Sequence, residues 1–311
     1  MRVVIALGGN ALLERGEAPN SDIQERHVVS AVTALAPLAS QHQLLITHGN
    51  GPQVGVLALE SARDPALSRP YPFDVLGAQT QGMIGYWLVQ ALHGAVPGQS
   101  AGCLISRTVI RADDPAFTRP TKFVGPVYAE AQARKLAAER GWNVRQDGHA
   151  WRRVVPSPEP VALVELDMIR LLAGSGAIVV CAGGGGIPVV RDDAGALRGV
   201  EAVVDKNLTA ALLARDMAAD ALVILTDVDA VGDGYGTPHA RPIHQVTPQQ
   251  LRARPFPAGS MGPKVEAACR FVEATGKMAA IGRLDDAEAL LDGKAGTIVA
   301  PANARFGERP S

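Results

Sequence analysis

Four apolar runs in this chain each stop abruptly at a loop of small or polar residues, and that repeated break constrains the fold more than any other feature. Val3–Leu7 runs into Gly8-Gly9-Asn10, and Leu44–His48 runs into Gly49-Asn50-Gly51-Pro52. Ile178–Ala182 leads into Gly183-Gly184-Gly185-Gly186, and Leu222–Leu225 leads into Thr226-Asp227-Val228-Asp229. A fifth loop, Gly259–Lys264, opens a helical run instead of closing a strand. Short apolar runs that alternate with helical patterns predict a parallel sheet covered on both faces. In such a sheet the loops after the strands gather along one edge, where ligands bind. Glycine brings backbone N–H groups close to a ligand, and a following helix adds its positive N-terminal end. Several such loops on one edge would cradle a strongly anionic group, most simply a polyphosphate. A plain strand-to-helix turn accounts for any single loop, but turns do not require this much glycine.

The chain has 311 residues, 47% of them apolar, which is ample for a large core. A net charge of -1 gives no reason to expect nucleic acid or a membrane surface as partner. No apolar run approaches the roughly 20 residues that span a bilayer. The first residues enter a strand directly, with no room for a signal peptide, so a cytoplasmic location is expected. Cys103, Cys181 and Cys269 are odd in number and far apart, and offer neither a disulfide framework nor metal spacing.

Helical patterns are predicted over 23–40, after Ser21-Asp22 as N-cap, and over 77–92, with a proline-rich loop over 64–74 between them. The segment 113–160 changes character, with Pro115, Pro120, Pro126, Pro156, Pro158 and Pro160 and many charges. Inside it a helix is predicted over 129–140 and a short hairpin strand at Arg152–Val155. It is expected to project from the main domain, residues 1–300, either as a lid or as a rigid excursion. Residues 301–311 form a polar tail.

The glycine loops fit neither the dinucleotide fingerprint nor the P-loop pattern, and the protein-kinase motifs are absent. Phosphoryl transfer requires aligned N–H donors, positive charge and a metal ion more than covalent chemistry. The only lysines are Lys122, Lys135, Lys206, Lys264, Lys277 and Lys294, in a chain otherwise rich in arginine. Lys122, Lys206 and Lys264 stand in conspicuous settings: Pro120-Thr121-Lys122 before Gly125-Pro126, Val204-Asp205-Lys206, and Gly262-Pro263-Lys264. Lysine is a compact, flexible point charge, although each could equally be an ordinary surface residue. His48 precedes the Gly49 loop as a ligand contact or as a structural histidine. Asp227 and Asp229 could touch Mg²⁺ or ribose hydroxyls, and aspartate at a strand end is also a common turn residue.

At these residues the chain resembles the carbamate kinases of the amino-acid-kinase superfamily. The matching stretches are 6–12, 47–55, 74–86, 120–122, 152–158, 181–189, 200–206, 225–231 and 257–267. The resemblance implies an α/β fold, an open, mainly parallel sheet sandwiched by helices, with a small protruding subdomain. It implies reversible transfer between ATP plus carbamate and ADP plus carbamoyl phosphate, with Mg²⁺, in a homodimer. Family members usually make ATP at the end of arginine breakdown by the arginine deiminase route. By position, Gly8, Gly9, Asn10, Gly49, Asn50 and Gly51 would hold carbamate and the moving phosphoryl group. Lys122 would close over the site, Lys206 and Lys264 would neutralise phosphates, and Asp205 would position them. Gly184, Thr226, Asp227, Asp229, Tyr235, Met261 and Pro263 would lie near the nucleotide. Three departures stand out. Asn207 replaces a usual aspartate, Phe123-Val124 replaces a usual proline-isoleucine pair, and 232–236 lacks an early bulky aromatic. The competing readings are a kinase on the same fold that acts on an amino-acid carboxylate or a nucleoside monophosphate, a ligand sensor, or a regulatory subunit.

Overall fold

The computed structural model describes residues 1–14, 16–234, 241–256 and 259–302, and within them leaves out the side chains of Asn10 and Pro126. Tyr235, the 303–311 part of the tail and the Pro257-Ala258 pair lie outside the described residues. An eight-stranded sheet runs in the order Gln245–Val246, Thr297–Val299, Met278–Arg283, Ala221–Thr226, Arg2–Leu7, Gln43–His48, Ile178–Val180, Ala101–Cys103. From Met278–Arg283 to Ala101–Cys103 every pairing is parallel, and Thr297–Val299 alone pairs antiparallel to its neighbour Met278–Arg283.

The central strands read as unbroken apolar runs because both of their faces are buried. Successive residues point to opposite faces. Val4 and Ala6 join the cluster beneath the helices Lys206–Asp216 and Met261–Thr275. Val3, Ile5 and Leu7 join the opposite cluster, beneath the helices Ser21–Gln41 and Phe73–Ala95. The register sets Leu7 beside both His48 and Leu225, so the loops after these strands start at one level.

The first helix starts at Ser21, two residues earlier than predicted, so Ser21 and Asp22 lie inside it and its N-cap is Asn20, which makes no side-chain capping bond. The second predicted helix is longer than its apolar pattern, spanning Phe73–Ala95, so Phe73 and Asp74 belong to it instead of to the loop. Its early start has a long-range cause. The Phe73 N–H donates to the Glu201 carboxylate at 2.8 Å, which satisfies an N-terminal donor that would otherwise be left open.

Between the main strands, Lys122–Tyr128, Ala150–Val155 and Asn143–Asp147 build a separate antiparallel sheet, with the helix Glu130–Arg140 beside it. Arg152–Val155 is indeed the end of a hairpin strand. A small apolar cluster joins this sheet to the body: Val124 and Val155 meet Val54, Phe73 and Leu76.

Phe271 is 1% exposed and is among the largest fully buried side chains. Phe271→Ala should lower unfolding free energy by about 3–5 kcal/mol, by lost transfer energy and a residual cavity. Urea denaturation followed by far-ultraviolet dichroism checks this; a loss below about 1 kcal/mol would mean that the site collapses without strain.

Candidate active site

Where the loops gather, a cavity of about 230 Å³ opens, lined by Gly8, Gly9, Gly49, Asn50, Gly51 and Gly184 on one side. Lys122, Asp205, Lys206, Ser260, Pro263 and Lys264 also line it. Three lysines separated by as many as 142 positions in sequence thus share one space. The helices Gly51–Arg63, Lys206–Asp216 and Met261–Thr275 begin at its wall, and each contributes the positive end of its dipole.

The two cradle loops touch backbone to backbone. A Cβ on Gly8 would lie 2.9 Å from Leu225 O, and one on Gly49 would lie 3.1 Å from the Gly9 nitrogen. Asn10 is within the short turn Gly9–Ala11, and its side chain lies outside the described residues. Asn50 does not cap its helix by a side-chain bond. Its amide donates to Thr80 Oγ1 at 2.8 Å, which ties the cradle to the long helix Phe73–Ala95.

The run Gly183–Gly186 serves packing as much as ligand approach. A Cβ at Gly183 would strike His48, at Gly184 Asn50, at Gly185 the Val204 carbonyl and at Gly186 Thr108, all within 2.4 Å. Gly184, Gly185 and Gly186 also hold positive φ angles of 65, 94 and 85°, where side chains are strained. Gln81, one residue after Thr80, locks this loop in place. Its Nε2 donates to Gly183 O at 3.0 Å and Ser106 O at 3.1 Å, and its Oε1 accepts the Ser106 N–H at 2.8 Å. The sequence signal for this pair was the polar run Gln79-Thr80-Gln81 in a helix that is otherwise largely apolar.

His48 takes the structural of its two readings. It is buried, its ring packs where Gly183 leaves room, and its Nδ1–H donates to Gly49 O at 2.9 Å. Burial pushes its pKa down to about 4, so the ring is neutral near pH 7.

Asp205 is the acid at the centre. Burial alone would raise its pKa, but Lys122 at 2.7 Å and the N–H groups of Asn207 and Leu208 outweigh that and hold it at about 2. Oδ1 caps the helix Lys206–Asp216 and Oδ2 receives the Lys122 ammonium. Asn207 donates its side-chain N–H to the same Oδ1 at 3.2 Å; an aspartate there would instead set a second negative charge against Asp205.

Lys206 donates to Leu7 O at 2.9 Å. Burial, with Lys264 and Lys122 nearby, lowers its pKa to about 7 against the pull of Asp205. Lys264 donates to Ser260 O at 3.1 Å, and burial lowers it too, with Asp227 and Asp205 opposing. The cavity therefore holds concentrated positive potential with, among the described residues, a single carboxylate in its lining, an arrangement suited to a polyanion.

Of the other candidates, Pro263 and Gly184 line the cavity, while Thr226, Asp227, Asp229 and Met261 do not. Thr226 lies 3.7 Å, by its Cα, from where a Gly8 Cβ would stand, and its hydroxyl donates to Asp227. Met261 is buried in the core under its helix. Asp229 pairs with Arg283 at 2.9 Å on the exposed surface. Among the described residues no group of three or more histidines, cysteines or acids could hold a metal ion.

The chain matches the amino acid kinase family over residues 1–282. It is 52% identical to the carbamate kinase of Rhizobium meliloti (strain 1021), over 96% of this chain and 93% of that protein. It is 48% identical to the carbamate kinase of Escherichia coli (strain K12), over 96% and 98%. Among solved structures, carbamate kinase from Giardia lamblia bound to AMP-PNP superposes with a TM-score of 0.88 at 39% identity, covering 96% of this chain and 98% of the other. UMP kinase from Bacillus anthracis, at 16% identity and a TM-score of 0.54, shares the fold alone. With identity this high over nearly the whole length, the chain belongs to the amino acid kinase family and, within it, to the carbamate kinases.

Proposed function

We propose that this chain transfers a phosphoryl group reversibly between ATP plus carbamate and ADP plus carbamoyl phosphate. The observation that carries the reading is the meeting of Lys122, Lys206 and Lys264 with two glycine loops in one cavity. Carbamate is already an anion, so its oxygen needs no general base before it attacks the γ-phosphorus of ATP. A bond forms from that oxygen to phosphorus, the bond to the β–γ bridging oxygen breaks, and ADP leaves. The difficulty is the repulsion between two anions, which fixed cations and aligned N–H groups offset.

In this reading the Gly8-Gly9-Asn10 and Gly49-Asn50-Gly51 loops hold carbamate and the moving phosphoryl group. Lys206 and Lys264 neutralise phosphate oxygens. Asp205 holds Lys122 and the start of the Lys206 helix in place. Thr226, Asp227, Asp229, Met261, Pro263 and Gly184 belong to the nucleotide side. Mg²⁺ fits as a nucleotide-borne ion, because both Asp205 oxygens are already engaged by nitrogen donors. When bound, it supplies neutralisation of phosphate charge. The family resemblance alone supports a homodimer, a cytoplasmic location and ATP synthesis at the end of the arginine deiminase route. No helix among the described residues is long and apolar enough to cross a membrane.

Lys264→Ala should fold normally and lose about 10²–10³ in kcat for ATP formation from ADP, Mg²⁺ and carbamoyl phosphate. Near-wild-type turnover would remove Lys264 from the mechanism. Lys122→Ala should lose kcat on the same scale, and retained activity there would leave the small sheet a purely structural role.

Lys206 gives a further handle. Its lowered pKa means that the folded state binds fewer protons than the unfolded chain between about 7 and the ordinary lysine value of 10.5. On its account the ligand-free protein gains stability as pH rises through that window. A bound polyphosphate favours the ammonium form, so ADP binding at about pH 8 should take up a proton. Titration calorimetry in buffers of different ionisation heat counts that proton, and Lys206→Met should abolish its uptake. Equal proton counts in the two proteins would show that Lys206 does not face the phosphates.

A further inference from the structure

The Arg152-Arg153 pair leaves a question that the proposed chemistry does not answer. The two arginines are neighbours on the strand Ala150–Val155, so they point to opposite faces of the small sheet. Arg152 makes its bonds within that sheet, to Gly125 O and Asp147. Arg153 reaches the body. Its guanidinium lies 4.8 Å from the Phe73 ring centroid and 4.7 Å from that of Trp142, sandwiched between body and small sheet. Its Nη2 donates to Glu201 Oε1 at 3.1 Å, while Glu201 Oε2 accepts the Phe73 N–H at 2.8 Å.

The register ties this contact to Lys122. Val124 pairs with Arg153 and Lys122 pairs with Val155, so all four project from one face of the sheet. That face meets the body through Val124 and Val155. Beside it Gly125 rests on Gly55, where a Cβ would lie 2.7 Å from the Gly125 Cα. One end of this face thus carries Lys122 to Asp205 at 2.7 Å, and Arg153 anchors the other end.

We propose that Arg153 is a positioning residue for the transfer: sandwiched between Phe73 and Trp142 and paired with Glu201, it clamps the small sheet to the body and so sets Lys122 over the glycine cradle. The clamp acts through Lys122 and touches no substrate. It rests on the phosphotransferase reading only for its effect on turnover.

The test uses the full chain with no ligand. Brief, low-dose acylation with acetic anhydride, read by peptide mass spectrometry, compares Lys122 with Lys135, whose side chain is 73% exposed. In the wild type Lys122 should label several-fold more slowly than Lys135. In Arg153→Met that difference should largely vanish while Lys206 stays as protected as before. Glu201→Gln breaks the clamp from the body side and should move Lys122 in the same direction, which covers the case of a poorly folding Arg153 variant. In turnover, Arg153→Met should lower kcat about 10-fold, as a misplaced catalytic group does, with KM for ADP unchanged. Added to Lys122→Ala it should cost nothing more, because both changes remove one contribution. An unchanged Lys122-to-Lys135 ratio overturns the clamp, as does Lys206 labelling that rises in step. Freed Lys122 with wild-type kcat overturns its role in positioning. If the wild type itself makes no ATP, the phosphotransferase reading fails, and the labelling still decides whether Arg153 holds Lys122 in place.

Discussion

The contact between Lys122 and Asp205 joins the small sheet to the body at a cavity that Lys206 and Lys264 also line. Asp205 is buried, and a buried carboxylate is costly unless it is both paired and hydrogen-bonded. The structure meets both conditions. One oxygen caps the helix Lys206–Asp216, and the other receives an ammonium from a strand 83 residues earlier. The same carboxylate is the one counter-charge that keeps Lys206 from losing its proton altogether. Its removal would therefore leave a helix end uncapped, Lys122 unpaired and Lys206 more strongly depressed, three losses with a single origin.

Around that acid the cavity holds more positive than negative charge, which is unfavourable in the empty protein. Lys206 and Lys264 both sit below their ordinary pKa values, chiefly because they are withdrawn from water. A bound polyanion would offset that cost. The arrangement is preorganised in the sense that matters for transfer, since cations fixed by packing need not be gathered when a phosphate arrives. The fixing is visible in detail. Thr80 and Gln81, adjacent on one long helix, hold the Asn50 loop and the Gly183 loop respectively.

The sequence disclosed the parts of this design that are local and hid those that are long-range. Strands could be read because burial on both faces leaves unbroken apolar runs. The loops could be read because glycine clusters are rare, and Lys122, Lys206 and Lys264 because lysine is rare in this chain. The glycines in Gly183–Gly186 were legible as glycines but not in purpose: their spacing says nothing about His48, Asn50, Val204 and Thr108 pressing from outside. The helix starting at Phe73 was placed too late because its N-terminal acceptor, Glu201, lies 128 residues away. Asp229 stood in line with the Thr226-Asp227 loop, yet only the fold reveals Arg283 as its partner. Each shortfall has the same cause. Contact partners are set by topology, and periodicity reports which face a residue occupies, not who meets it there.

The two anchors of the small sheet differ in kind, and the proposed transfer needs that difference. The Lys122 contact is a charge pair at the cavity, and in the proposed transfer an incoming phosphate would compete for the same ammonium. If that pair alone held the sheet, each binding event would release the element that delivers Lys122. Arg153, Phe73, Trp142 and Glu201 are not among the residues that line the cavity, and their contact combines stacked rings with a carboxylate beside the apolar cluster around Val124. No phosphate competes for it. The sheet can therefore stay seated while the Lys122 ammonium, on its flexible four-carbon stem, passes from Asp205 to a phosphate oxygen. A rigid mount with one mobile charge demands less reorganisation than a moving lid, and it leaves the Asp205 carboxylate still capping its helix when the lysine has gone.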